Sequence, residues 1–249
     1  MMQVGRAGYL AVAVASAAVL AGYLYWSRGP LGLRNTPYDP VIHPSDFVSQ
    51  INHKYLSLRP GTKYIYEKKQ GSKIERTEVV VTNETKKVMG VTTTVVRATE
   101  WLGDTMKEDT RDWYAQDKDG NVWYFGEAVD NYKQGKIHDH DGSWEAGVGG
   151  AKPGIMMPKS PAAGDTYRQE YLEGVAEDVA TIVAVGKKVS VAHGAFEDCV
   201  QVKDWSLIAS GAEYKYFCAG AGFAVLEEKA GWAALLRPER SELVKVTAE

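Results

Sequence analysis

The stretch Asp112-Trp-Tyr-Ala-Gln-Asp-Lys-Asp-Gly-Asn-Val-Trp-Tyr-Phe-Gly-Glu127 is the densest aromatic segment of the chain. At its centre, Asp119-Gly120 favours a tight hairpin turn because glycine adopts a positive φ without a Cβ clash. The flanking residues would then form two paired strands whose rings contact each other. A hairpin alone cannot bury that much aromatic surface, so we expect a larger sheet around it. The rings concerned are Trp113, Tyr114, Trp123, Tyr124 and Phe125.

Further strand patterns lie on both sides of this hairpin, rich in valine and threonine and separated by glycine-containing turns. Strands at this spacing predict a mainly β fold, with one strongly curved antiparallel sheet or half-open barrel over residues 58–249. Residues 126–165 show little periodicity and predict a long loop that covers one face of the sheet. The predicted strands are residues 62–68, 74–82, 88–101, 105–116, 166–173, 178–185, 189–191, 196–205, 214–218, 223–228 and 242–246.

The composition is that of an ordinary globular protein. Hydrophobic residues make up 45% and charged residues 24% of 249 positions, which is enough apolar mass for a real core. The formal net charge of -3 argues against a nucleic-acid-binding protein, because such proteins usually carry a basic domain.

The N-terminus carries an uncharged apolar run at residues 7–26. About 20 such residues are what a helix needs to cross a ~30 Å hydrocarbon layer, so we predict a transmembrane anchor over residues 1–28. A cleaved signal peptide is the alternative, since residues 13–17 contain small-residue cleavage patterns. No second run follows, and we therefore expect a single-pass protein of a bacterial cell membrane with its C-terminal domain in the periplasm or outside the cell.

Small residues follow one face of the predicted anchor and permit close helix packing. They favour self-association or a membrane-protein partner, although a merely alanine-rich span would show the same pattern. After the anchor, residues 29–57 predict a proline-containing linker with a short helix near 45–52, which Ser45 would cap. The small residues are Ala11, Ala15, Ala18 and Gly22.

The two cysteines, Cys199 and Cys218, fall in two predicted strands joined by a turn near residues 210–211. In an antiparallel hairpin they can face each other and form a disulfide. Two buried thiols are the alternative. The expected oxidising compartment favours the disulfide.

The segment His138-Asp-His-Asp141 offers imidazoles and carboxylates to a divalent metal. The candidate ligands are His138, His140 and Asp141, and a solvated polar loop is the alternative. Residues 117–121 resemble the start of a calcium loop, but position 12 is Ala128 and a hairpin turn explains the same residues. No cofactor is indicated.

A curled sheet would surround a cavity, and aromatic barrel mouths commonly bind small molecules. A collapsed core without a cavity is the alternative. Carboxylates near strand ends (Glu108, Asp109, Asp112 and Glu127) could serve acid–base catalysis, yet ion pairs with arginines explain them equally well. We assign no catalytic residue. The candidate ligand-binding residues are Trp101, Trp113, Trp123, Phe125, Trp144 and Met156.

Several stretches together resemble an uncharacterised family of bacterial extracytoplasmic proteins, many of them lipoproteins. The resemblance covers residues 52–228 and implies a half-open β-barrel similar to lipoprotein carriers, with no established activity. The chain departs from the family in its predicted anchor, which replaces a lipidated cysteine, and in its cysteine pair. The principal motifs are Asp112-Trp-Tyr-Ala-Gln-Asp117, Gly120-Asn-Val-Trp-Tyr-Phe-Gly-Glu127, Gly142-Ser-Trp-Glu-Ala-Gly147 and Gly150-Ala-Lys-Pro-Gly-Ile155.

These observations favour a non-enzymatic function: binding an apolar or amphiphilic ligand, or acting as an accessory partner of a membrane complex. A metal-dependent or carboxylate-based hydrolytic enzyme is the alternative.

Overall fold

The computed structural model describes Leu33, residues 37–230 and residues 239–248. The chain divides into two compact units, Met1–Tyr38 and Asp39–Glu249, and the β fold belongs to the second. The predicted anchor and its small-residue face lie outside the described residues. Within the described residues, no helix has the length and apolar character needed to cross a membrane.

The described residues contain one short 3-10 helix, Pro44–Asp46, and eighteen strands. The strands are β1 (Phe47–Val48), β2 (Ile51–His53), β3 (Leu56–Leu58), β4 (Thr62–Gln70), β5 (Lys73–Val88), β6 (Val91–Leu102), β7 (Thr105–Asp117), β8 (Val122–Lys133), β9 (Lys136–Asp139), β10 (Trp144–Glu145), β11 (Lys152–Met157), β12 (Thr166–Arg168), β13 (Glu170–Tyr171), β14 (Asp178–Val191), β15 (Gly194–Ser206), β16 (Ala212–Cys218), β17 (Ala224–Lys229) and β18 (Arg240–Ala248).

One large antiparallel sheet dominates the fold, as the sequence predicts. Its order is β12-β14-β15-β16-β17-β18-β4-β5-β6-β7-β8-β11-β13. Only Gln169 separates the two edge strands β12 and β13 in the chain, so the ends of the sheet meet and the sheet nearly closes into a barrel. We call the place where the two edges of the sheet meet the seam. A Cβ on Gly154 of β11 would lie 2.3 Å from the carbonyl carbon of Gln169, so the seam requires glycine at position 154.

The aromatic hairpin is present as β7 and β8, and Asp117 organises its turn. Its Oδ1 accepts hydrogen bonds of 2.8 Å from the backbone N–H groups of Gly120 and Asn121. Its Oδ2 accepts from Asn121 Nδ2 and from the indole N–H of Trp123, each at 2.8 Å. The turn therefore accounts for the residues that resembled a calcium loop.

The predicted disulfide is confirmed. Cys199 and Cys218 lie directly opposite each other on β15 and β16 and are covalently joined. Both are fully buried.

Two local predictions differ from the structure. Residues 45–52 do not form an α-helix, because Phe47 joins β7 as part of β1 and packs its ring 5.4 Å from Phe125. Residues 126–165 are not a structureless loop, since they contain the end of β8 and all of β9, β10 and β11. These strands are short and pair with β8, so tertiary contacts decide their conformation more than local pattern does.

Polarity changes along the barrel interior. Residues that face each other across antiparallel strands lie on the same side of the sheet, so the register identifies the inward positions. At one end these are apolar, such as Val81 opposite Val96 and Val200 opposite Phe217. Farther along the same strands they become charged, as where Glu100 lies opposite Glu108. The interior is therefore an apolar core at one end and a polar chamber at the other.

Candidate functional site

A cavity of about 590 Å³ lies in the barrel beside the seam. Aromatic and thioether groups form part of its wall, and carboxylates form much of the rest. Its lining residues are Tyr114, Tyr124, Glu127, Met156, Gln169, Glu170, Asp178, Asp204, Trp205, Ser206, Ser210, Gly211, Ala212, Glu213, Lys215, Lys229 and Ala230.

A β-bulge brings the key residues of β8 into this chamber. Tyr124 and Glu127 are three positions apart, and regular alternation would place them on opposite faces. The pairing shifts here, so that Tyr114 lies opposite Tyr124 while Asp112 lies opposite Glu127. Gly126 supplies the necessary backbone with φ 130°, and both side chains face the cavity side as a result.

One lysine already occupies the acidic wall. The Nζ of Lys215 lies 3.0 Å from Asp204 Oδ2 and 3.1 Å from Glu213 Oε1. Although burial alone lowers the pKa of Lys215, the charges of Asp204, Glu213 and Glu227 raise it well above its usual value. Lys215 is therefore a half-buried ammonium ion held by carboxylates.

Three further lining carboxylates have no such partner. Within the part of the chain that the structure describes, no lysine, arginine or histidine lies at ion-pair distance from Glu127, Glu170 or Asp178. The cavity wall therefore carries more acidic groups than Lys215 alone can neutralise.

Burial perturbs the acidity of these groups. It raises the pKa of Glu170 to about 8, with a further contribution from the charge of Asp178. Burial also raises the pKa of Glu127, and the neighbouring carboxyl of Asp112 raises it further. The pKa of Asp112 is raised by burial as well, although a hydrogen bond of 3.0 Å from the Tyr124 hydroxyl opposes the shift. The chamber therefore holds protons close to neutral pH.

Two buried polar atoms at the chamber lack a hydrogen-bond partner among the described residues: Asp204 Oδ1 and Trp144 Nε1. Asp204 is 7% exposed and lines the cavity, while Trp144 is 4% exposed. The indole N–H of Trp144 acts on Glu170 and lowers its pKa against the larger effect of burial, but it does not reach hydrogen-bond geometry. An unsatisfied buried polar atom costs about 1–3 kcal/mol, so both atoms favour a polar occupant.

The aromatic part of the wall is ordered by ring contacts. Tyr114 and Tyr124 stack with centroids 4.9 Å apart, and Trp144 meets Tyr124 edge-on at 5.3 Å. Met156 completes this side, with its Sδ 3.5 Å from Gln169 Nε2. The lining is thus amphiphilic.

The predicted ligand-binding residues divide between the two faces of the sheet. Met156 lines the cavity, and Trp144 lies at its edge beside Glu170. The other four are absent from the lining. The ring centroid of Phe47 lies 6.3 Å from that of Trp123 and 5.4 Å from that of Phe125. Lys86 Nζ lies 3.4 Å from the ring centroid of Trp113. Trp101 lies on β6 opposite Met106.

The candidate metal ligands lie together near the β8–β9 hairpin. His140 Nδ1 is 2.9 Å from Asp130 Oδ1, and His138 Nε2 is 3.7 Å from Asp139 Oδ2. The backbone oxygen of Asp141 accepts a hydrogen bond from Asn131. Among the residues that the structure describes, no group of three or more His, Cys, Asp or Glu side chains could hold a metal ion.

Sequence reasoning missed Glu170, Asp178, Asp204 and Lys215 as site residues. A signal was present in β15 and β16, where Asp204 and Lys215 occupy the same alternate positions as Val202 and Phe217. Charged residues at positions that otherwise carry core side chains indicate a polar interior. For Glu170 and Asp178, which flank the seam, no comparable pattern exists.

Comparisons with known proteins add little. No protein-family model matches the chain, and no curated protein sequence matches it. A solved structure described as "a putative exported protein with YmcC-like fold" from Bacteroides fragilis is similar, with 12% sequence identity and a TM-score of 0.45. The similarity covers 79% of this chain and 100% of that one. A likeness this distant supports no statement about function, and the resemblance to an extracytoplasmic family stays a prediction.

Proposed function

We propose that the domain is a non-enzymatic binding protein that holds a small amphiphilic molecule inside the barrel. The observation that carries this proposal is the cavity of about 590 Å³ with rings and a thioether on one side and carboxylates on the other. Small-molecule pockets commonly measure about 300–1,000 Å³. The volume equals that of roughly 20 water molecules at about 30 Å³ each, which suits a short apolar chain with a polar head group.

The proposal includes an extracytoplasmic location. The disulfide between Cys199 and Cys218 supports it, because disulfides persist mainly in oxidising compartments. The bond joins the two strands that carry Asp204 and Lys215, so oxidation also secures one wall of the site. The predicted anchor would hold the domain at a membrane, where amphiphilic molecules are concentrated.

A blocked cavity tests the proposal. Ser206 lines the cavity from β15, so Ser206→Phe places a ring in the space that a ligand would occupy. Ser190 is exposed on β14 and does not line the cavity, which makes Ser190→Phe the matched control. Isothermal titration calorimetry of the full-length protein with n-octylammonium should show binding by the wild type and the control, and at least about tenfold weaker binding by Ser206→Phe. Equal binding by all three proteins would contradict the proposal.

A carboxylate-based hydrolytic enzyme is the second candidate. Asp112 and Glu127 lie opposite each other, and the Tyr124 hydroxyl donates a hydrogen bond to Asp112 Oδ1. A raised pKa suits a carboxyl to donate a proton near neutral pH. Hydrolysis of nitrophenyl esters or glycosides by the full-length protein, abolished in Glu127→Gln, would establish this candidate. Absence of turnover in both proteins would exclude it for these substrates.

A further inference from the structure

We propose that the head group of the ligand is an organic ammonium ion, which sits among Glu127, Glu170 and Asp178. This inference rests on the proposed function and names the chemical class of its ligand. The acidic wall is not its sole basis, because two further features also favour an ammonium head group.

The first feature is the ammonium ion that the chamber already contains. Lys215 is held between Asp204 and Glu213 at 3.0 and 3.1 Å, so this interior binds an ammonium group through paired carboxylates. Glu127, Glu170 and Asp178 line the same cavity, and none of them has a lysine, arginine or histidine of the described residues at ion-pair distance. A ligand ammonium would form with them ion pairs like those that Lys215 forms with Asp204 and Glu213.

The second feature is one unsatisfied buried acceptor, Asp204 Oδ1. Asp204 lines the cavity, and its buried Oδ1 has no donor among the described residues, although Oδ2 of the same carboxyl is paired with Lys215. An alkylammonium carries three N–H donors, which suits an acceptor of this kind. An anionic head group would offer no N–H donor to this oxygen and would be repelled by any ionised carboxylate beside it.

The aromatic rings fit the same ligand. Tyr114 and Tyr124 line the cavity beside Glu127, and an ammonium ion gains from a nearby aromatic face. A divalent metal fits less well, because it needs several ligands converging at about 2.0–2.6 Å. Within the described residues, no three acidic, histidine or cysteine side chains converge in this way.

Proton release is an expected consequence of binding an ammonium ion beside the carboxyls of the chamber. Burial keeps the Glu127 and Glu170 carboxyls protonated up to and above neutral pH, since the pKa of Glu170 is about 8 and that of Glu127 is also raised. An ammonium ion beside them favours the carboxylate form, so each O–H that ionises sends its proton to solvent. The charged and titratable groups that surround this wall are Glu108, Asp112, Tyr114, Tyr124, Asp178, Asp204, Glu213, Lys215, Glu227 and Lys229.

A charge series of matched probes tests the inference. The probes are n-octylammonium, n-octanol and octanoate, which share one chain length and differ in head-group charge. Calorimetry of the full-length protein at pH 7.5, in buffers of different ionisation enthalpy, measures affinity and proton release together. We expect n-octylammonium to bind at least about tenfold more tightly than n-octanol, to release about one proton, and octanoate to bind weakest.

Two variants locate the head group. Glu170→Gln preserves the shape of the protonated side chain but cannot ionise, while Glu173→Gln changes an exposed residue in the turn that follows β13. We expect Glu170→Gln to weaken n-octylammonium about tenfold, to leave n-octanol unchanged and to reduce proton release. Glu173→Gln should match the wild type.

The outcomes separate this inference from the proposed function. If n-octanol or octanoate binds as tightly as n-octylammonium and is blocked by Ser206→Phe, the cavity binds ligands but the ammonium assignment is wrong. If Glu170→Gln weakens all probes equally, or none, the head group does not sit where we place it. If no probe binds, both the proposed function and this inference fail.

Discussion

The two faces of the β7–β8 hairpin have different roles although they alternate in one stretch of sequence. Trp113, Trp123 and Phe125 face outward and are packed under Phe47 and Lys86. Asp112, Tyr114, Tyr124 and Glu127 face inward toward the chamber. The outward rings Trp113, Trp123 and Phe125 therefore belong to the covered face, while the inward tyrosines and carboxyls between them face the site.

The largest contrast between the faces should appear in stability. Phe125 is 0% exposed, so Phe125→Ala should lower the free energy of unfolding by about 3–5 kcal/mol through lost burial and a residual cavity. Glu127→Gln, two positions away, should change stability by less than about 1 kcal/mol near neutral pH, because the raised pKa of Glu127 already keeps it uncharged. Urea denaturation checks both values.

Binding should show the reverse order. Folded Phe125→Ala should retain wild-type affinity for n-octylammonium, whereas Glu127→Gln should bind it more weakly. A Phe125→Ala variant that loses binding while folded would show that the outer face also belongs to the site.

The inward carboxyls should also govern how stability depends on pH. The pKa of Glu170 is about 8 in the folded protein and about 4.3 in an unfolded chain. Between these values the folded state binds more protons, so the free energy of unfolding falls as pH rises. The stabilisation that comes from protonated Glu170 is complete below about pH 4 and is lost as the pH rises through about 8. The free energy of unfolding changes by at most about 1.4 kcal/mol per pH unit over this range.

Glu170→Gln should flatten that dependence. Urea denaturation from pH 5.5 to 8.5 compares the two proteins, with Glu173→Gln as the exposed control. Parallel curves for wild type and Glu170→Gln would mean that Glu170 titrates normally and that the chamber does not hold its protons.

The smallest effect should come from the outer cation–π contact. Lys86 Nζ lies 3.4 Å from the Trp113 ring centroid and 2.7 Å from Glu145 Oε2. Lys86→Met keeps most of the side chain's apolar contact and should lower the free energy of unfolding by about 0.5–1 kcal/mol. Binding of n-octylammonium should remain unchanged. A loss above about 3 kcal/mol would show that this contact supports the hairpin far more than its exposure suggests.

Local patterns in the sequence were sufficient for much of the fold. The Asp119-Gly120 turn and the valine-rich alternation predicted the hairpins, and their consistency predicted the antiparallel sheet. The cysteine pair followed from the same register logic. The strands within residues 126–165 were not predicted, because β9, β10 and β11 are short and depend on pairing with β8.

The site was harder to predict because it depends on register across distant strands. Alternation counted from Trp123 assigns Glu127 to the outer face, and only the bulge at Gly126 turns it inward. The other carboxylates come from β13, β14, β15 and β16, which the seam and the sheet order bring together. No local pattern contains that information.

The most direct test of the central claim is a crystal structure of the full-length protein with n-octylammonium. We expect the ammonium nitrogen at about 2.7–3.2 Å from carboxylate oxygens of Glu127, Glu170 or Asp178, with the alkyl chain against Tyr114, Tyr124 and Met156. An alkyl chain bound on the outer face near Trp123, or a nitrogen remote from all three carboxylates, would contradict it.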